Sequence, residues 1–253
     1  MWFEHGASRI YYEEYGSGDP VVMLPGWSMS IDGFAALREA LTPHYRVILA
    51  DLPGSGRSQP QPRAYTDRYF EDDAQAFAAL LDQLGAAPAH VIGFSDGGED
   101  ALLMAERTPR AVRSLITWGA IGVLSDPTGQ LRQGMYNLVD HPIPPLQGFR
   151  DYLVGAYGEA NARAMSQSMV SALGVIIDTR GGNLSLAQAG TITCPVLLMT
   201  GDQDMFYPPA LLDQLAVRIP KAKSMVVENA GHDVHNARPE WLAQTILDWL
   251  KTV

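Results

Sequence analysis

Apolar and polar positions along the chain follow two rhythms. The run 21–24 is wholly apolar and 46–50 nearly so, the pattern of strands buried on both faces of a sheet. Further strands are predicted at 89–92, 112–118, 196–200 and 224–227, and an alternating stretch at 8–15 predicts an early one. Helical spacing appears at 32–41, 67–84, 98–107, 211–218 and 240–250. In the second of these, Phe70, Ala74, Phe77, Leu81 and Leu84 share one face. Gly16-Ser17-Gly18-Asp19-Pro20 marks a turn, and Thr108-Pro109 ends a helix. Strands alternating with helices predict an α/β fold, with a mostly parallel sheet and helices on both faces.

The segment 122–190 breaks this alternation. It offers helical pieces near 130–139, 146–157 and 159–177 and no convincing strand. His141-Pro142-Ile143-Pro144-Pro145 and Gly181-Gly182-Asn183 punctuate it. Ligands of open α/β sheets bind beyond the carboxyl ends of the strands, so a helical excursion there would wall a pocket. The expected organisation is a core domain of 1–121 and 191–253 with a helical cap at 122–190. Met135, Tyr136, Phe149, Tyr152, Tyr157, Met165 and Met169 lie in that segment, available for packing or for facing the pocket.

Composition narrows the picture. A chain of 253 residues can bury one large α/β core. The net charge of −10 repels phosphate backbones and argues against nucleic acid as a partner. Cys194 is the only cysteine, so no disulfide can form within the chain, and no metal site is expected. The first residues carry no basic-then-apolar leader pattern, and no stretch approaches the ~18 apolar residues of a membrane span. The expectation is a soluble, cytoplasmic protein without a membrane partner, as a monomer or homodimer.

The chemistry is concentrated at Gly93-Phe94-Ser95-Asp96-Gly97-Gly98, between a predicted strand and a predicted helix. Gly-x-Ser-x-Gly in that setting describes a sharp turn that holds a serine in a strained backbone conformation. The flanking glycines leave room across the turn, and the free N–H groups of the helix start face a reacting carbonyl oxygen. Gly54-Ser55-Gly56 does not form a dinucleotide loop, because a third glycine is missing and Pro60 and Pro62 stop a helix from following.

A serine nucleophile needs a base, and the base an orienting carboxylate. His5, His44, His90 and His141 read as surface or capping residues. His232 lies in Asn229-Ala230-Gly231-His232 at a strand's carboxyl end and is the expected base, with His235 as competitor, assigned to the loop or pocket wall. The preceding strand ends in Gly201-Asp202-Gln203-Asp204. Both aspartates qualify by position, Asp202 as a brace for the turn and Asp204 with the reach to meet an imidazole. The order Ser95, Asp204, His232 is the Ser…Asp…His order of one particular fold.

With these motifs, the loop 51–58 and Arg238-Pro239-Glu240, the whole chain resembles the α/β-hydrolase superfamily. The Ser-Asp-Gly-Gly elbow and Gly182-Asn183-Leu184 are similar to the valacyclovir hydrolase branch, which cleaves α-amino acid esters. The resemblance implies hydrolysis of a small-molecule ester with no cofactor. It also implies an oxyanion hole built from the backbone N–H groups of Trp27 and Asp96, which makes those two the expected substrate-binding positions. In the branch, the aspartate matching Asp96 binds the substrate's ammonium. The alternative is that Asp96, with Glu99 and Asp100, only stabilises the helix N-terminus. Where the family carries His-Gly, this chain has Pro25-Gly26, which removes a side chain that would brace the oxyanion loop. Perhydrolases, carbon–carbon bond hydrolases, amidases, lactonases and hydrolase-like receptors share the pattern.

Overall fold

The computed structural model describes residues 1–126 and 128–253. Eight strands form one sheet: β1 (Trp2–His5), β2 (Ser8–Tyr15), β3 (Pro20–Leu24), β4 (Arg46–Ala50), β5 (Ala89–Phe94), β6 (Val112–Trp118), β7 (Val196–Gly201) and β8 (Ala222–Val227). Their order across the sheet is β1-β2-β4-β3-β5-β6-β7-β8. β1 and β2 pair antiparallel, as do β2 and β4, and every pairing from β4 onward is parallel. All predicted strands are present. β1 has no forerunner in the sequence pattern, and β8 is an edge strand whose residues 223–226 are exposed.

The sheet is buried on both faces because successive side chains point to opposite sides. Val22 and Leu24 of β3 join one apolar cluster with α2 (Tyr69–Gln83), α3 (Asp96–Arg107) and α7 (Pro209–Ala216). Val21 and Met23 join the other, with α1 (Ala35–Leu41) and α9 (Pro239–Leu250). The anticipated face of α2 is in the first cluster, where Phe70, Phe77 and Leu81 are fully enclosed. The helix expected at 32–41 begins as a 3₁₀ turn, Ile31–Phe34, capped by the Ser30 hydroxyl, before α1 takes over.

Between β6 and β7 lie α4 (Gln130–Tyr136), α5 (Gln147–Tyr157) and α6 (Glu159–Arg180). Pro127 lies outside the described residues. These helices share a third apolar cluster of Met135, Leu138, Leu146, Leu153, Met165 and Met169, and Trp27 from the loop after β3 is buried in it as well. Tyr136 and Tyr152 are exposed, whereas Phe149 and Tyr157 are partly buried against the cluster.

The loop leading into α2 is fastened by Arg63. Its guanidinium donates to both Asp73 carboxylate oxygens, at 2.6 and 2.7 Å, and to the Pro53 carbonyl at 3.1 Å. Burial holds the Asp73 carboxyl above its usual range, and Arg63 pulls it back. Arg63→Met is expected to cost about 3 kcal/mol in urea unfolding at pH 8, because it orphans a buried carboxyl. A carboxyl whose folded pKa exceeds its unfolded value costs stability as pH rises past the unfolded value. The defect should therefore shrink at pH 5, where the orphaned Asp73 takes a proton. A pH-independent defect would contradict this account.

Candidate active site

Ser95 stands between β5 and α3 with φ 53° and ψ −122°, a strained conformation for a residue with a Cβ. Only missing Cβ atoms make room for it. A Cβ on Gly93 would land on the Gly97 carbonyl, as the motif led us to expect. A Cβ on Gly97 would instead strike the Leu24 and Pro25 carbonyls at the end of β3. One on Gly26 would sit 3.2 Å from the Ser95 Cβ, so the loop after β3 passes directly over the serine.

His232 reaches this point from the loop after β8. Its Nε2 is 3.0 Å from the Ser95 Oγ, and its Nδ1 is 2.9 Å from Asp204 Oδ2. A carboxylate at Nδ1 accepts only, so the proton sits on Nδ1 and the Nε2 lone pair faces the serine. Asp204 is itself fixed, its Oδ1 accepting from the Phe206 and Tyr207 amides at 2.8 and 2.9 Å. The imidazole is packed by Phe94, Phe206 and Tyr207. Asp202 braces the turn, with Oδ1 accepting from the Ala230 amide at 3.1 Å.

Other histidines fall elsewhere. His235 is on a short helix, α8 (Val234–Ala237), and is buried against Phe34 and Phe94 rather than in a loop or pocket wall. Its Nδ1 accepts from the Trp118 indole, and burial together with His232 pushes its pKa down to about 4. His90 lies inside β5, is buried, and meets the Ser114 hydroxyl at 2.7 Å, so it is neither a surface nor a capping residue.

The amides of Trp27 and Asp96 donate to no other protein group among the described residues. The turn that carries the first is closed by the Met29 N–H on the Gly26 carbonyl, with Ser28 at φ 64°. The Ser55 hydroxyl accepts from the Ser28 amide at 3.0 Å. Buried Asp51 accepts from the Ile31 amide at 2.6 Å and the Arg57 amide at 2.7 Å. The Trp27 indole donates to the Tyr65 hydroxyl at 2.9 Å and packs edge-on against Phe149.

The Asp96 carboxylate accepts from the Tyr69 hydroxyl at 3.1 Å. Burial pushes its pKa up to about 7, against the pull of that hydrogen bond. Glu99 and Asp100 are not solvated charges at a helix start. Glu99 accepts from the Ile121 and Gly122 amides and so shapes the loop after β6. Asp100 is buried with neither oxygen hydrogen-bonded, and burial lifts its pKa well above the usual range. Among the described residues no cluster of three His, Cys, Asp or Glu is placed to hold a metal, and no helix is long and apolar enough to cross a membrane.

A strained serine at a strand–helix junction, with imidazole and carboxylate delivered from two further strand ends of a mostly parallel sheet, defines the serine class of α/β hydrolytic folds. Residues 21–245 match the model of the alpha/beta hydrolase family, and the chain belongs to that family. It is 29% identical over 263 residues to the pimeloyl-(acyl-carrier protein) methyl ester esterase of Chromobacterium violaceum, covering 96% of this chain and 99% of that one. It is 23% identical over 252 residues to the serine hydrolase BPHL of Mus musculus, covering 96% and 83%. A thermophilic esterase from Thermogutta terrifontis superposes with a TM-score of 0.75 at 24% identity, covering 97% and 94% of the two chains, and so shares the fold.

Gly119, at the end of β6, is a site residue that no sequence motif marks. It has φ 63°, and a Cβ there would lie 2.7 Å from the His232 Cε1. Gly119→Ala should push the imidazole out of line with Ser95. We expect hydrolysis of p-nitrophenyl acetate to fall about a hundred-fold, the usual cost of an ~1 Å misplacement. A wild-type rate in a folded variant would show that the ring has slack.

Proposed function

We propose that the protein is a serine esterase working through an acyl-enzyme, and that α-amino acid esters are its preferred substrates. The observation that carries this is the unbroken hydrogen-bonded line from Ser95 through His232 to Asp204. His232 Nε2 takes the serine proton as the Oγ attacks the carbonyl carbon. The Trp27 and Asp96 amides receive the oxyanion. Imidazolium, held against Asp204, then protonates the leaving alcohol, and a water activated by the same Nε2 releases the acid. We assign the helical segment 122–190 the role of a cap that walls the acyl pocket.

Asp96 supports the aminoacyl part of this reading. A carboxylate beside a developing oxyanion is unfavourable unless the substrate brings a cation. Its only side-chain partner among the described residues is a neutral hydroxyl, and no cation lies within ion-pair distance. At about 4 Å and an effective dielectric near 20, an ammonium would gain on the order of 4 kcal/mol before desolvation. A net of about 1.4 kcal/mol gives a ten-fold preference.

Ser95→Ala and His232→Ala should each lower kcat on p-nitrophenyl acetate by about three powers of ten or more in folded protein. Asp204→Asn should be far more damaging than Asp202→Asn, and the reverse order would reassign the acid. Undiminished turnover in Ser95→Ala would end the serine-hydrolase reading.

The substrate preference has its own pH signature. Asp96 must be ionised to hold an ammonium, and its pKa of about 7 means that its charge develops as pH rises through neutrality. His232 serves both substrates as the base, so its contribution cancels in a ratio. The kcat/KM of an α-amino ester relative to its des-amino match should climb between about pH 6 and 7.5, until the substrate amine itself loses its proton. Asp96→Asn should flatten that climb. A ratio of one at every pH would leave a general carboxylesterase.

A further inference from the structure

Three features of the loop after β3 are unusual together. Pro25 stands where a bracing side chain was expected. Ser28 holds a left-handed φ of 64° without being glycine. Its carbonyl oxygen accepts two tyrosine hydroxyls from a helix more than a hundred residues away in sequence: Tyr152 at 3.0 Å and Tyr157 at 2.6 Å, both on α5. We propose that Tyr152 and Tyr157 are positioning residues for the oxyanion hole, clamping the Gly26–Met29 turn so that the Trp27 amide stays aimed at the reacting carbonyl.

The hydrogen-bond chemistry supports a clamp rather than incidental contact. The Tyr157 hydroxyl donates to Ser28 and accepts from the Gly56 amide at 2.7 Å, so both of its roles are filled. The series from the Gly56 N–H through the Tyr157 O–H to the Ser28 carbonyl is of the kind whose members polarise one another. It ties together the loops after β3 and β4, which Asp51 already joins from the core side. Tyr152 is 43% exposed with its ring stacked beside Phe149, and its hydroxyl reaches inward to Ser28.

Backbone geometry makes the clamp consequential. A left-handed Ser28 relaxes to an ordinary conformation if nothing over-determines it. That relaxation rotates the neighbouring peptides of a four-residue turn, and the Trp27 N–H is one bond from the rotating unit. The Ser55 hydroxyl holds the Ser28 amide, and the tyrosines hold its carbonyl. The two peptide groups of Ser28 are thus fixed from opposite sides, one by the core and one by α5. The Trp27 amide is then held on line by α5 as well as by the core.

This inference rests on the serine-esterase reading, and the test separates the two. Tyr152→Phe/Tyr157→Phe keeps both rings and removes only the hydroxyls. With p-nitrophenyl acetate, whose acetyl group is too small to need the helix, kcat should fall about ten-fold with KM little changed. That is less than the roughly 10²–10³ lost when an oxyanion donor is removed outright. Inhibition by phenylboronic acid, which adds to Ser95 and places an oxygen in the hole, should weaken by the same factor. Tyr152→Phe alone, at an exposed position, should fold normally and show a smaller loss of the same kind. A wild-type kcat and boronate affinity in the double variant would overturn the clamp even if its Tm drops. If Ser95→Ala retains turnover, the parent reading fails instead.

Discussion

The structure depends on one steric constraint. A serine must stand in a left-handed backbone conformation at the end of β5, with the chain leaving β3 and β6 close around it. The Ser95 conformation is held because the chain after β3, the start of α3 and the chain after β6 approach more closely than a side chain at Gly93, Gly97 or Gly98 would permit. Strain of this kind costs about 1–3 kcal/mol and persists only where the surroundings over-determine it. The two buried faces of the sheet supply that rigidity, since the central strands β3, β5 and β6 are enclosed on both sides. The catalytic geometry is thus a consequence of packing density at the carboxyl edge of the sheet.

Electrostatics around the elbow follow from the same crowding. Asp96, Glu99 and Asp100 lie within the first five residues of α3, spaced so that 99 and 100 fall one turn on from 96, and Asp73 approaches them from α2. Burial raises the pKa of all four, and only Asp73 has a guanidinium as partner. Such a group resists further negative charge and welcomes a cation or a proton. An acyl substrate carrying an ammonium meets that demand at the one member of the group placed next to the serine. A substrate with an anionic acyl chain would meet repulsion there.

The parts of this arrangement that were legible in the sequence are those set by local pattern. Ser95, Asp204 and His232 could be singled out because each follows a strand and lies within three residues of a glycine, in an order peculiar to one fold. Asp202 and Asp204 could be told apart by reach alone, and the distances agree: one holds the turn, the other holds the imidazole. What escaped the sequence depends on tertiary contact. β1 is four residues long with Trp2 exposed, too short to show a period. His90 read as a surface or capping residue and His235 as a loop or pocket-wall residue, because nothing local reveals a Ser114 hydroxyl or a Trp118 indole waiting for them. Glu99 read only as an acid at the start of a helix, and nothing local shows that it also accepts from two amides of the loop after β6. Gly119 carries no motif, because the atom it avoids belongs to a residue 113 positions later.

Pro25 shows how a lost side chain can be replaced by distributed support. A proline fixes its own φ near −65°, so the chain leaves β3 in a set direction without a hydrogen-bonding side chain. The missing Cβ of Gly97 lets the Leu24 and Pro25 carbonyls rest against the first turn of α3, which fixes the height of the loop above Ser95. The far end is anchored by the Ile31 amide on Asp51, a carboxylate with no exposure to water. With both ends set and the turn closed from Met29 to Gly26, the remaining freedom is rotation of the peptides at Ser28. Here it is restrained by the Ser55 hydroxyl on one side and by α5 on the other, so part of the restraint on the hole belongs to a helix outside the core sheet. Bracing from within a rigid core keeps a hole permanently formed. On the proposed reading, bracing from a peripheral helix makes formation of the hole depend on the hydrogen bonds that α5 gives to Ser28.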